Sequence, residues 1–310
     1  MTVACAITLS ISLFCCFVST LLFQGDFLLH RSGWDRWGRR FLLTGAAILA
    51  AGLTMHFLMS GASPFSNMLV VVSLLVIFLL LAGLLVERRA RVRNLSAMLA
   101  PMAFFGLLYP VLMPIRFDGA KSILLQYPLL GLHVLVSVLG LVGFALACCT
   151  AMAYLVQVRS LKKGRLNRYL PALDKAAGAT YHFAAAGFSL FTLGLGMGII
   201  WFFGAPGEQL GGSDLKIWVA LPTWAVFASY LYLRGVGGRH GSRLKWLVIL
   251  GFLLSFLNLL GVRHDFAPAV SSSYRSTSWE LANLRCGTGQ GKEAVVLLPQ
   301  ADVHAPKGLL

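Results

Sequence analysis

Few side chains in this sequence carry reactive chemistry, and the histidines lead them. Of the seven histidines, His56, His133 and His264 lie within or at the ends of long apolar runs. A neutral imidazole can accept a proton, donate one, or ligate a metal through its unprotonated nitrogen. An ionisable group placed in lipid is costly, so each of the three is a functional candidate by default. The plainer reading of any single one is a hydrogen-bonded histidine at a membrane interface. His30 and His240 sit in loops rich in arginine, His182 opens an apolar run beside Tyr181, and His304 lies in a polar tail, so solvation or helix-end bonding accounts for these four. The six cysteines form no Cys-x-x-Cys, and all but Cys286 fall in apolar runs, where cysteine acts as a small hydrophobe.

The elements that must hold the histidines follow from composition. The chain has 310 residues, 58% hydrophobic and 12% charged, against about 25% charged in soluble domains. That balance excludes an ordinary soluble enzyme and makes lipid the solvent for most of the chain. Eight apolar stretches are long enough to cross a bilayer: 4–24, 42–60, 68–86, 97–115, 128–156, 181–203, 217–233 and 244–262. The fifth is long enough to project beyond the hydrocarbon or to tilt. The first has no basic segment before it, so it is not expected to be a cleaved signal peptide. The expected fold is an all-α integral membrane bundle of about eight transmembrane helices spanning 1–264. Residues 265–310, with the Ser/Thr-rich stretch Ser271–Ser278, are expected to be a flexible external tail. Gly187, Gly194, Gly196 and Gly198 in the sixth stretch include a Gly-x-x-x-Gly, a device for close helix packing within the bundle.

Charge sets the sidedness. The net charge is +15, from 26 Lys and Arg against 11 Asp and Glu. Eighteen of the basic residues follow odd-numbered spans, among them Arg36, Arg39, Arg88, Arg159, Lys162, Arg234, Arg243 and Lys245. Only Arg116, Lys121 and Lys216 lie between even- and odd-numbered spans on the opposite side. By the positive-inside rule the basic loops are cytoplasmic and both termini lie outside. The basicity is thereby explained without nucleic acid. In this topology the segment Trp34–Asp35–Arg36–Trp37 is a cytoplasmic interfacial anchor.

With these sides assigned, His133, His264 and His56 all fall toward the outer leaflet. Two histidines from different helices can clamp a haem iron axially. Between spans six and seven, Trp201, Trp218 and Trp224 surround a glycine-rich loop containing Asp214. Such aromatics can wall a flat macrocycle, and they are equally what any membrane interface collects.

The order of these features resembles the cytochrome c assembly superfamily, which includes CcsA, CcmC and HemX-like membrane proteins. In the family an external histidine precedes a tryptophan-rich external loop, and a second external histidine follows the next two helices; His133, the 201–218 loop and His264 are similar in place. Asp214–Leu215–Lys216 followed by Thr223–Trp224 resembles the family's Asp-Pro-Lys…Thr-Trp run. Gly251–Phe252 and Asn258 to Gly261 resemble its last helix, while Leu132–His133–Val134, Gly187–Phe188, Thr192 and His56 resemble the HemX-like branch. The family loop reads W-G-x-x-W-x-W-D. Here its three tryptophan positions are Gly207, Gly211 and Ser213, and Leu215 replaces the proline.

The resemblance implies a haem-handling protein of c-type cytochrome biogenesis in the bacterial inner (cytoplasmic) membrane. It implies haem as cofactor, held at the outer leaflet by His133 and His264 as metal ligands. Trp201, Asp214, Trp218, Trp224 and His56 would serve as further cofactor-binding residues. Arg116, Lys121 or Lys216 could pair with the propionates. The implied partners are other cytochrome c assembly membrane proteins and, indirectly, apocytochrome c. No nucleophile or general base is evident, so the chain is not expected to be an enzyme by itself. The rival reading is a HemX-like regulatory or scaffolding protein that affects haem synthesis, which the altered tryptophan loop favours. A small-solute transporter is disfavoured by spans almost devoid of acidic residues and by the lack of an inverted repeat.

Overall fold

The computed structural model describes residues 2–29, 33–60, 68–89, 94–112, 128–164, 170–204, 215–238 and 241–261. They form eight helices: α1 (Thr2–Leu29), α2 (Trp34–Ser60), α3 (Met68–Arg89), α4 (Ser96–Leu112), α5 (Pro128–Lys162), α6 (Leu173–Gly204), α7 (Leu215–Gly235) and α8 (Ser242–Gly261). No strand occurs among the described residues. The chain divides into two units, Met1–Phe266 and Ala267–Leu310. The second lies outside the described residues, as does the expected tail 265–310.

Six helices are long and apolar enough to cross a membrane, so this is a multi-pass membrane protein. α4 is apolar but only 17 residues long, with Pro101 and Pro110 inside it. α5 runs for 35 residues, which at 1.5 Å per residue is about 50 Å, well beyond the hydrocarbon thickness. Several helices extend past the apolar runs. Gly33, at φ +113°, turns the chain into α2, and Asp35 then sits in the first helical turn. The segment Trp34 to Trp37 and Arg36, Arg39 and Arg40, expected in a loop, are therefore helical. The reason is local: an acidic residue at a helix start complements the dipole, and Arg39 finds a carboxylate on α3. α6 likewise begins at Leu173, eight residues before its apolar run, with Asp174 in its first turn.

The helices form two groups. α1 packs against α2 and α4, and α4 against α3. α5 packs against α6 and α8, and α7 closes the second group against α6 and α8. α5 also touches α3 and α4, joining the groups. In lipid the drive for such packing is close contact and hydrogen bonding between helices, which favours small residues. The α1–α2 seam shows both: Ser12 and Ser19 hydroxyls donate to the Gly45 and Gly38 carbonyls at 2.9 and 2.8 Å. On the other side of the first group, Glu87 joins three helices. Its carboxylate accepts from Arg39 of α2 at 2.8 Å, and from the hydroxyl and backbone N–H of Ser96, the first residue of α4. Glu87 thus caps a helix whose first N–H groups have no partner within the helix.

In the α5–α6 seam the two backbones come into direct contact. A Cβ on Gly143 would stand 2.6 Å from Gly187 Cα, and one on Gly187 would stand 2.9 Å from the Gly140 carbonyl. Further along, the Thr180 hydroxyl donates to Thr150 Oγ1 at 3.0 Å. Phe144 fills the centre of the group, stacked on Phe227 of α7 with ring centroids 3.6 Å apart. Gly251 of α8 gives Phe227 room, since a Cβ there would meet its ring at 2.7 Å.

Candidate functional site

His133 lies six residues into α5 and faces α6. The contact pairs 133 with 194 and 198, 140 with 187 and 191, and 150 with 180, a continuous antiparallel register. Two glycines of α6 make the seat. Gly198 leaves space for the imidazole: a Cβ there would stand 2.9 Å from His133 Cε1 and 3.3 Å from Nδ1. The Gly194 carbonyl lies 2.7 Å from His133 Nδ1. A carbonyl can only accept, so Nδ1 carries the proton and the lone pair resides on Nε2. This is the tautomer in which histidine ligates a metal through Nε2, with an outer hydrogen bond fixing the ring. The Gly-x-x-x-Gly of α6 therefore serves packing within the bundle, as expected from the sequence, and also fixes the tautomer of His133.

The tryptophans divide. Trp224 Nε1–H donates to the Thr192 hydroxyl at 3.1 Å, and its ring lies 5.4 Å from Phe188. It bridges α7 to α6. From that contact, antiparallel counting puts Trp218, six residues earlier on α7, level with Gly198, six residues later on α6. Trp218 is 66% exposed, so at the height of His133 an indole stands on the outer surface of α7. Trp201 belongs to the last turn of α6. Asp214 and His264 lie outside the described residues, as do Arg116, Lys121, His30, His240 and His304. Lys216 is the second residue of α7.

His56 is placed elsewhere. It is half-buried on α2, with its ring 6.0 Å from that of Phe57. α2 packs on α1 and, more lightly, α3, whereas His133 belongs to the α5–α6 seam. His182 is exposed at the far end of α6, 5.6 Å from the Tyr181 ring. The cysteines behave as hydrophobes: Cys15, Cys16, Cys148 and Cys149 are buried, and Cys149 packs its sulfur 3.3 Å from that of Met102. No group of three or more His, Cys, Asp or Glu able to hold a metal occurs among the described residues.

α5 packs on α8 as well as α6. The Phe227–Gly251 contact sets the α7–α8 register, and counting from it brings the end of α8 level with Trp218 and His133. One end of the α5–α8 group thus gathers an oriented imidazole, an exposed indole and the exit of α8. Two residues with marked roles were missed in the sequence. Gly198 as a seat was legible only as part of a packing motif. Lys245, counted among loop charges, is a buried residue of α8.

The molecule thus presents an imidazole of fixed orientation at a helix end of a multi-pass helical membrane frame. The family described as Cytochrome C assembly protein matches residues 63–266, about two thirds of the chain, and the chain belongs to it. Among curated proteins it is similar to the cytochrome c biogenesis protein CcsA of Guillardia theta, 26% identical over 68% of this chain and 76% of that protein. The CcsA protein of Chlamydomonas reinhardtii is 28% identical over 44% of this chain and 38% of its own length. That of Cyanophora paradoxa is 30% identical over 36% and 33%. For these last two, the match covers only about a third of the relative. The chain is thus a membrane protein of cytochrome c biogenesis.

Proposed function

We propose that the chain holds haem at the outer leaflet and presents it to the partner that attaches it to apocytochrome c. The observation that carries this reading is His133, whose Nδ1–H is committed to the Gly194 carbonyl at 2.7 Å, directing the lone pair to Nε2. His264 would supply a second imidazole nitrogen for the iron. It follows Gly261, the last residue of α8, by three positions, a reach of about 11 Å at most. The residues fit a haem in donor chemistry: imidazole nitrogen for iron, Trp218 for the macrocycle, and Lys216 for a propionate. Haem would supply the iron and the vinyl groups that a cysteine pair captures. This chain's part would be to bind, orient and screen it from water.

In this reading the basic loops are cytoplasmic, both termini are outside, and residues 265–310 form an external tail of a bacterial inner-membrane protein. The partners are the other membrane proteins of cytochrome c assembly. The rival, a HemX-like regulator of haem synthesis, is favoured by Gly207, Gly211 and Ser213 standing where the family loop has tryptophans.

Deleting the gene in its host and measuring covalent haem on c-type cytochromes alongside total cellular haem separates the two. The presenting role predicts loss of covalent haem at normal total haem, restored by the wild-type gene but not by His133→Ala. Changed total haem with normal attachment would overturn it in favour of the regulator.

A further inference from the structure

At the end of the α5–α8 group opposite His133, α5, α7 and α8 bring polar side chains together and α6 adds a backbone carbonyl. Lys245 of α8 is 1% exposed. Its ammonium lies 5.2 Å from the Tyr154 ring of α5 and 5.8 Å from the Tyr230 ring of α7. Its hydrogen bond to the Ala177 carbonyl of α6 is long, at 3.5 Å. An ammonium has three N–H donors, and among the described residues no carboxylate pairs with this one. The Tyr230 hydroxyl is likewise buried with no hydrogen-bond partner among the described residues. Arg234 lies one turn beyond Tyr230 on α7 and so shares its face of that helix. Asp174, the acidic residue of α6 nearest this end, is exposed.

A buried charge without a counter-ion is strongly unfavourable, and buried polar groups without partners are rare in native proteins. Packing does not demand a lysine here, since methionine would fill the same length without the penalty. Cation–π contact with two tyrosines offsets part of the cost and satisfies none of the N–H groups. Two of the unmet groups are donors packed together: the Lys245 ammonium and the Tyr230 hydroxyl. Together with the Arg234 charge they lack one thing, an oxyanion.

We propose that Lys245, Tyr230 and Arg234 form a binding site for a single oxyanion, a phosphate or carboxylate, at the basic end of the α5–α8 group. The bound anion neutralises Lys245, accepts from the Tyr230 hydroxyl, and ties α7 and α8 to α5 and α6. Its source is either the phosphate of an anionic lipid or a free small anion. In both cases the site is independent of haem and lies at the other end of the helices from His133.

The test uses the purified full chain in phosphatidylcholine nanodiscs at fixed ionic strength, with the thermal unfolding midpoint as readout. Three ligands are compared: phosphatidylglycerol in the nanodisc, inorganic phosphate, and acetate. At least one should raise the midpoint in the wild type. Half-saturation should weaken by about tenfold or more in Lys245→Met and Tyr230→Phe, as expected for loss of a charge-assisted hydrogen bond. Arg243→Gln removes an exposed charge from the same helix and should respond as the wild type does. A response to phosphatidylglycerol alone assigns the lipid as source, and a response to phosphate or acetate assigns the free anion. If Lys245→Met fails to accumulate, Tyr230→Phe, which removes only a hydroxyl, decides. No response in the wild type, or an equal response in all variants, overturns the site.

Discussion

His133 depends on two atoms of α6 that belong to glycines. The Gly194 carbonyl sets which ring nitrogen is protonated, and Gly198 provides the space in which the ring lies. Outer hydrogen bonds and seating of this kind typically govern metal affinity by 10–100-fold. Gly198→Ala would put a methyl group 2.9 Å from Cε1 and rotate the imidazole off its carbonyl. The expected outcome is about tenfold weaker haem binding, measured by titration of the purified chain. Gly196→Ala is the internal control, because a Cβ there meets nothing within 4 Å, and it should bind haem as the wild type does. At this scale the sequence was informative about residue type and silent about partners. The apolar run around His133 marked it as costly and therefore as a functional candidate. Nothing in spacing alone could show that a carbonyl 61 positions away fixes its tautomer. Lys245 shows the converse: a lysine near a run of loop charges reads as a topology signal, and only the packing of four helices shows that it is buried.

The α5–α6 pair is the element on which the site rests. Gly140, Gly143 and Gly187 bring the two backbones into contact, and the register they set carries His133 to Gly198. Gly187→Leu should force the helices apart, with a loss of several kcal/mol typical of overpacking a close seam, seen as a lower unfolding midpoint and poor accumulation. Leu193→Ala, on a face that is 62% exposed to lipid, should change the midpoint little. Each of the eight apolar runs falls on a described helix, and six of these helices are long and apolar enough to cross a membrane. Their ends were less legible. α2 and α6 each continue eight residues before their apolar runs, because Asp35 and Asp174 favour helix starts and because charged residues at a membrane surface remain helical when solvated. The cap at the start of α4 was not legible either, because Glu87 reaches Ser96 through a contact between two helices.

At the scale of the whole molecule, the basic residues and the site belong to opposite ends of the α5–α8 group. Arg159, Lys162, Arg234 and Arg243 lie at one end, and His133, Trp218 and the exit of α8 at the other. In the proposed topology, which rests on the positive-inside rule, the second end faces outward. Reporter fusions after residue 165 should therefore score cytoplasmic, and fusions after residues 120, 210 and 270 external. A cytoplasmic score at 210 would place the Trp201–Trp218 loop on the wrong side of the membrane for delivery to an external apocytochrome.

Haem ligation by His133 is the claim on which the functional account turns, and the absorption spectrum of the purified chain loaded with haem tests it most directly. The account predicts the Soret and α bands of a six-coordinate haem in the wild type. His133→Ala and His264→Ala should each lower occupancy or convert the spectrum to a five-coordinate form, partly restored by added imidazole, whereas His240→Ala should leave it unchanged. A wild type that stays colourless, or a spectrum that is the same in His133→Ala as in the wild type, would contradict it.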